Sequence, residues 1–219
     1  MTCFNGPLAA RLRLLAPLAI LFAGTAVAQD TVIAHDTAIP QDAPQDMVPI
    51  GWEGKLRFHA VSAYGPAALA GAAVYDGFLQ GIDFPREWGQ GGLGYSKRFG
   101  STLAYLGVRN LLGFGFDSAL HQDPRYYRSI ERGTWRRTKH VFRETILTHK
   151  DSGGETLATW RLGSAYGAAF ISNEWYPDRV NTIVLGLSQG STQLGFDLLS
   201  NLGSEFWPDI KRKLMRRTP

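Results

Sequence analysis

Histidine and glutamate side chains are the first residues in this chain that could carry out chemistry. His140 and Glu144 are four residues apart, so a helix would place both on one face, one turn apart. His121 and His149 flank that segment. An imidazole and a carboxylate so placed can bind a metal ion or transfer a proton. A hydrolase of lipid or phosphate esters would therefore use His140 and Glu144, with His121 as a further candidate.

The surroundings of His140 argue against a metal ion. The sequence has no H-E-x-x-H motif, and cationic side chains crowd this histidine: Arg136, Arg137, Lys139 and Arg143. Their charges would repel a metal cation. We therefore predict no metal and no cofactor. The sequence favours a non-catalytic protein and leaves the hydrolase open as an alternative.

A second motif, Gly186-Leu187-Ser188-Gln189-Gly190, matches the nucleophile-elbow pattern G-x-S-x-G and locally resembles an α/β-hydrolase. That family places a histidine after the serine and the acid, whereas no histidine follows His149 here. We interpret Gly186 and Gly190 instead as two small residues on one face of a packed helix. Ser188 is then not a nucleophile.

The segment Lys150-Asp151-Ser152-Gly153-Gly154 is similar to the second motif of membrane-associated lipid phosphatases, which reads P-S-G-H. Asp151 replaces the proline, Gly154 replaces the histidine, and the histidine of that family's third motif is missing. The resemblance implies at most a degenerate relative without catalysis.

Residues 125–143 alternate guanidinium groups with aromatic rings such as Tyr126, Tyr127 and Trp135. Guanidinium groups bind phosphate, and Trp and Tyr favour the headgroup region of a membrane. We therefore expect an anionic lipid or another anionic envelope component as the partner. The predicted anion-binding residues are Arg125, Arg128, Arg132, Arg136, Arg137, Lys139 and Arg143.

Two alternatives apply to this segment. Nucleic acid would use the same groups, but the small net charge of +4 and the predicted export argue against it. The cations could also form internal salt bridges with the nearby acids Glu131, Glu144 and Glu155.

The N-terminus predicts export. Arg11 and Arg13 precede an apolar run, and Ala26-Val27-Ala28 is a small-residue cleavage site, so residues 1–28 are typical of a signal peptide. Its removal takes away the only cysteine, Cys3, and leaves no disulfide in the mature chain. Residues 29–50 contain four aspartates and three prolines and are predicted to form a disordered acidic leader. The single folded domain is then residues 51–219, in the periplasm or on the periplasmic face of an envelope membrane.

Apolar periodicity predicts an all-α protein, a compact bundle of six to seven helices rich in Gly and Ala. The expected helices cover residues 52–64, 66–82, 97–120 and 134–149. Two antiparallel arms follow, joined at Tyr176-Pro177-Asp178, and Ser204 is expected to cap a last short helix.

The two arms carry different faces. On the first, small residues repeat at four-residue spacing and let helix backbones approach closely: Gly163 and Gly167, Ser164 and Ala168, Ala165 and Ala169. On the second, an apolar stripe is expected to be buried: Val180, Val184, Leu187, Leu194, Leu198 and Leu202.

Three short segments are similar to a group of uncharacterised exported bacterial proteins. They are Asp123-Pro124-Arg125-Tyr126, Ser172-Asn173 with Trp175-Tyr176-Pro177, and Phe206-Trp207-Pro208-Asp209-Ile210-Lys211. The similarity covers roughly residues 110–215 and implies no activity. It supports treating this region as one unit.

We therefore expect a non-catalytic, exported envelope protein that associates with a membrane or a partner through its basic and aromatic segment. The hydrolase above and a small lipid carrier, with a cavity between its glycine-lined helices, are the alternatives. The sequence leaves the oligomeric state open.

Overall fold

The computed structural model describes residues 49–215, and their fold is an all-α bundle, as predicted. It contains six α-helices: α1 (Trp52–Tyr64), α2 (Pro66–Gly81), α3 (Gly91–Ala119), α4 (Thr134–Ile146), α5 (Thr159–Asn173) and α6 (Ile183–Met215). A 3-10 turn at Arg86–Trp88 precedes α3. The predicted signal peptide and nearly all of the predicted leader lie outside the described residues.

Helix α3 is the centre of the bundle. It packs against α1, α2 and α5, and α6 covers the other side of α5 while its C-terminal half packs on α4. The predicted antiparallel pair of arms is therefore confirmed as α5 and α6. The core is built from small side chains. Within residues 49–215, six of the nine buried apolar residues are alanines: Ala63, Ala72, Ala158, Ala165, Ala168 and Ala169.

The first turns of α3 begin earlier than expected, at Gly91 rather than Lys97. A side chain at Gly94 would overlap the carbonyl of Gly89, so only glycine fits there. Arg98 is fully buried and donates hydrogen bonds to the carbonyls of Phe84 (2.7 Å), Pro85 (3.0 Å) and Gly89 (2.8 Å). These bonds satisfy the loop carbonyls before α3 and hold the start of the helix in place.

The small-residue face of α5 is buried, as predicted. Ser164, Ala165 and Ala169 are almost inaccessible to solvent. A methyl group added at Gly163 would lie 2.8 Å from the Phe116 ring of α3. Glycine at this position therefore permits the close contact of α5 with α3.

The apolar stripe of the second arm is placed differently from our expectation. Val180 precedes α6, Val184 is 75% exposed and Leu187 is 49% exposed, so the N-terminal half of the stripe is not buried. The buried face contains Gly186 and Gly190 instead, which lie against the rings of Phe170 and Tyr166. The rotation of α6 about its axis is therefore set by the close approach of its glycine face to α5, and not by its apolar stripe.

Two further boundaries differ from the prediction. The separate short helix after Ser204 is wrong, because α6 is continuous over 33 residues and includes Pro208. The helix predicted to reach His149 ends at Ile146, where strand β1 (Leu147–His149) pairs antiparallel with β2 (Glu155–Leu157). In this hairpin His149 is opposite Glu155. The hairpin turns the chain from α4 into α5.

Substitution of Gly190 tests the packing of α5 on α6. Gly190→Ala would push a methyl group into the Tyr166 ring, so we expect the free energy of unfolding to fall by about 1–3 kcal/mol. Gly195 lies on the same helix with open space beside it, so Gly195→Ala should raise that free energy by about 0.5–1 kcal/mol. Urea unfolding of both variants measures these changes. Equal effects at the two glycines would contradict the packing described here.

Candidate functional site

The three candidate catalytic residues are not brought together. His140 is half-buried, with Nε2 2.8 Å from the carbonyl oxygen of Tyr127. Glu144 is buried one turn later on α4. The side chain of His121 is 80% exposed and lies 3.9 Å from an oxygen of Asp151, a residue in the turn between β1 and β2. The predicted pair on one helix face is therefore present, without His121.

A different histidine approaches Glu144. The Nε2 atom of His149 lies 3.4 Å from its carboxylate, and ligand atoms of Glu144, His149 and Glu155 all lie within 4.8 Å of one another. That donor set suits a divalent cation by type and distance. However, the Arg143 guanidinium donates to Glu155 at 2.5 Å and would oppose a cation. Burial raises the pKa of Glu144, and the nearby His149 opposes that shift.

The predicted anion-binding residues divide into an inner and an outer group. Arg137 donates to the buried carboxylate of Glu205 at 2.6 Å and to Asp209 at 2.5 Å. Arg128 donates to the carbonyl of Glu205 at 3.2 Å, and Arg125 pairs with Asp123 at 2.6 Å. Arg125 and Arg137 therefore form internal salt bridges, although with acids other than the predicted Glu131, Glu144 and Glu155. Arg128 and Arg137 join their segment to α6.

The outer group lies on the solvent-facing side of α4, except for Arg132, which lies just before the helix. Arg132, Arg136 and Lys139 are exposed, and across residues 49–215 no carboxylate pairs with any of them. The ammonium of Lys139 lies 5.2 Å from the centre of the Trp135 ring. Arg143 is also largely exposed, although it is paired with Glu155.

Large apolar side chains share this outer side of α4. Trp135 is 69% exposed, Phe142 50% and Ile146 54%. With Lys139 they occupy positions i, i+4, i+7 and i+11, which lie along one side of a helix. The opposite side contains Val141, which is fully buried. Helix α4, together with Arg132 just before it, therefore presents an apolar and cationic surface, which we call the α4 face: Arg132, Trp135, Arg136, Lys139, Phe142, Arg143 and Ile146.

A buried polar cluster between α1 and α3 was not anticipated from the sequence. His59 lies with Nδ1 3.1 Å from the side-chain oxygen of Asn110 and Nε2 2.7 Å from Asp117. The amide nitrogen of Asn110 donates to the carbonyl of Leu106, so its oxygen faces the imidazole. Both ring nitrogens therefore lie within hydrogen-bonding distance of a side-chain oxygen. His59 is 51 positions from Asn110 and 58 positions from Asp117 in the chain, so no local pattern could reveal the cluster.

A cavity of about 450 Å³ lies between α2, α3 and α6, with contributions from α5. Its apolar wall includes Ala72, Phe84, Leu106 and Phe196, and Ser188 of the G-x-S-x-G motif lies at its exposed rim. Ser188 is in the middle of α6, as our interpretation of the two glycines requires. It has no histidine among the other residues that line the cavity.

Two groups at this cavity have unusual environments. The hydroxyl of Tyr105, a lining residue, is buried without a hydrogen-bond partner, and burial raises its pKa to about 12. Asp76 is fully buried beside the lining residue Thr102, which donates to one carboxylate oxygen at 2.8 Å, while the other oxygen has no partner. Burial raises the pKa of Asp76 to about 6, against the opposing effects of Thr102 and Arg98.

The raised pKa of Asp76 predicts a pH effect on stability. The carboxyl binds its proton more tightly in the folded state, whose pKa of about 6 exceeds the reference value of 3.8, so deprotonation favours unfolding as pH rises. Asp76→Asn removes this titration. We expect it to stabilise the protein by about 2 kcal/mol more at pH 7.5 than at pH 4.5. Urea unfolding at the two pH values measures this difference, and an identical effect at both would show that Asp76 titrates normally.

Across residues 49–215, no helix combines the length and apolar composition needed to cross a membrane. No family model, curated protein or solved structure matches the chain.

Proposed function

We propose that the protein is a non-catalytic, exported component of a bacterial cell envelope that binds the surface of an anionic membrane through the α4 face. The observation that carries this proposal is the exposure of Trp135, Phe142 and Ile146 on the same helix as Arg136 and Lys139, neither of which pairs with a carboxylate within residues 49–215. Helices that lie in a membrane interface combine such apolar side chains with Lys and Arg. Trp favours the headgroup level, and Lys and Arg attract anionic lipid.

The inner side of α4 supports the same proposal. The Arg137 ion pairs and buried Val141 fix the helix to α6, so the outer side chains are already presented before a membrane is met. A surface formed in advance loses little conformational entropy on binding. The last turns of α6, which packs on α4, add exposed Lys211 and Lys213 next to exposed Leu214.

The hydrolase alternative is less favoured by the geometry. His121 lies 3.9 Å from a carboxylate oxygen of Asp151 and not beside Glu144, and Nε2 of His140 lies 2.8 Å from the carbonyl oxygen of Tyr127. Glu144 has His149 as its nearest imidazole instead. Export, and with it the periplasmic location, rests on the signal-peptide pattern of residues 1–28 and on the resemblance to exported bacterial proteins.

Vesicle sedimentation tests the proposal. The purified protein should bind vesicles of phosphatidylglycerol and phosphatidylcholine, should bind phosphatidylcholine alone weakly, and should dissociate as salt rises. Each cation near an anionic surface contributes about 1 kcal/mol, so replacing Arg132, Arg136 and Lys139 by Gln should weaken binding about a hundredfold. Trp135→Ser with Phe142→Ser should weaken binding to the same vesicles by removing the apolar contacts.

Matched controls come from other exposed sites. Arg86→Gln with Lys97→Gln removes two exposed cations elsewhere, and Leu93→Ser with Leu111→Ser removes two exposed leucines of α3. Both controls should bind like the unsubstituted protein. Full binding by the α4 variants would refute the proposal. Sedimentation with cell-wall polymer but not with vesicles would assign the α4 face to an envelope polymer instead.

A further inference from the structure

The cavity between α2, α3 and α6 is separate from the α4 face. It lies along the N-terminal half of α6, whereas α4 is held by Arg137 at Glu205 and Asp209 near the C-terminal end of that helix. Its volume of about 450 Å³ is within the range of sites that enclose a small organic molecule. Such sites are mainly apolar and contain a few polar groups that orient the ligand.

The cavity has this composition. Phe84, Leu106 and Phe196 supply aromatic and aliphatic surface. The Tyr105 hydroxyl is buried without a partner, and an unmet hydrogen-bonding group of this kind would be satisfied by a ligand. Gln189 is already engaged, because its side-chain oxygen accepts a hydrogen bond from Ser172 at 3.0 Å and its side chain also hydrogen-bonds to Tyr176.

The charge of the lining residue Asp197 is already compensated. Asp197 is a lining residue, and both of its carboxylate oxygens accept hydrogen bonds from Arg109, at 2.8 and 2.7 Å. The Arg161 guanidinium lies 4.0 Å from the same carboxylate. A cationic ligand would have to compete with two arginines, and an anionic ligand would meet the carboxylate of Asp197. An uncharged ligand avoids both costs.

Access to the cavity is from the side of α6. Ser188 and Thr192 both line the cavity and are exposed, one helical turn apart, whereas Ala72 and Ser172 are buried at its inner end. A ligand can therefore enter past the small side chains of α6 without separation of the helices.

We propose that this cavity is a binding site for an uncharged, mainly apolar small molecule that hydrogen-bonds to Tyr105. This gives the protein a ligand-binding function in addition to membrane association, and it specifies the small-carrier alternative expected from the sequence. The ligand class includes aromatic amines, alcohols and amides small enough for the cavity.

The test uses N-phenyl-1-naphthylamine, an uncharged fluorescent aromatic amine, with the purified full chain. Saturable fluorescence enhancement is expected. Thr192→Trp fills the entrance and should weaken the affinity at least about tenfold. Leu187→Trp places the same ring on an exposed position of α6 that does not line the cavity, and should leave the affinity unchanged. Circular dichroism confirms that both variants fold.

Two further measurements separate the cavity from the α4 face. Trp135→Ser with Phe142→Ser should retain probe binding while losing vesicle binding. Tyr105→Phe keeps the ring and removes the hydroxyl, so it should weaken binding of the amine more than binding of unsubstituted naphthalene. Absence of saturable binding, or full affinity in Thr192→Trp, would overturn the proposal. Loss of probe binding only in the α4 variant would place the probe on the α4 face and would also overturn it.

Discussion

His59→Ala is expected to lower the free energy of unfolding by about 3–5 kcal/mol, because it leaves the buried carboxyl group of Asp117 without its imidazole partner. The imidazole lies 2.7 Å from that carboxylate and also fills the space beside Gly113. Burial already raises the pKa of Asp117 despite the His59 hydrogen bond. Without His59 that pKa should rise further, so adding Asp117→Asn to His59→Ala should recover more stability at pH 8 than at pH 5.

Urea unfolding at the two pH values measures this effect. His121→Ala is the matched control, since its exposed side chain should contribute less than about 0.5 kcal/mol. Adding Asp117→Asn to His59→Ala removes the buried charge and should recover part of the lost stability. A loss below about 1 kcal/mol for His59→Ala would show that the pair is not a structural ion pair.

Glu205→Ala should also cost about 3–5 kcal/mol, because Glu205 is the buried acceptor that joins α6 to the segment before α4. Its carboxylate accepts hydrogen bonds from Arg137 (2.6 Å), the Tyr126 hydroxyl (2.8 Å) and the backbone of Ser129 (3.1 Å). Without this carboxylate, the partly buried guanidinium of Arg137 and hydroxyl of Tyr126 each lose a hydrogen-bond acceptor. The attachment of α4 to α6 would therefore weaken.

The neighbouring acid provides the control for this variant. Asp209 also pairs with Arg137 but is partly exposed, so Asp209→Ala should cost at most about 1 kcal/mol. Hydrogen exchange should show loss of protection across residues 126–141 in Glu205→Ala and little change in Asp209→Ala. Unaltered exchange in Glu205→Ala would mean that α4 is held by other contacts.

Several features of this protein follow from the sequence because they depend on neighbouring residues. Helix period and the four-residue spacing of glycine and alanine predicted the bundle, the paired arms and the buried face of α5 around Ala165. The same spacing explained Gly186 and Gly190 as packing residues, and their contacts with Phe170 and Tyr166 confirm it. Composition also predicted a basic and aromatic segment, although it did not predict which of the cations pair inside the protein and which are exposed.

The errors arose where local preference competed with packing. The leucine pattern predicted a buried stripe on α6, but Val184 and Leu187 are exposed because the glycine face lets the helices approach more closely. Ser204 suggested the start of a separate helix, but α6 is continuous through this position, and the next residue, Glu205, is held by its hydrogen bond with Arg137. Both the exposure of these side chains and the continuity of α6 depend on which surfaces of the neighbouring helices α6 contacts.

The candidate sites show the same division. Sequence alone identified the cations and rings of residues 125–143, because residue type is visible in the chain. Only the tertiary structure decided that Arg137 points to Glu205 while Arg136 and Trp135 stay in solvent, and that Tyr105 and Gln189 meet at one cavity. Contacts between distant residues depend on the packing angles and rotations of whole helices, which are set by the sum of many small contacts rather than by any local pattern.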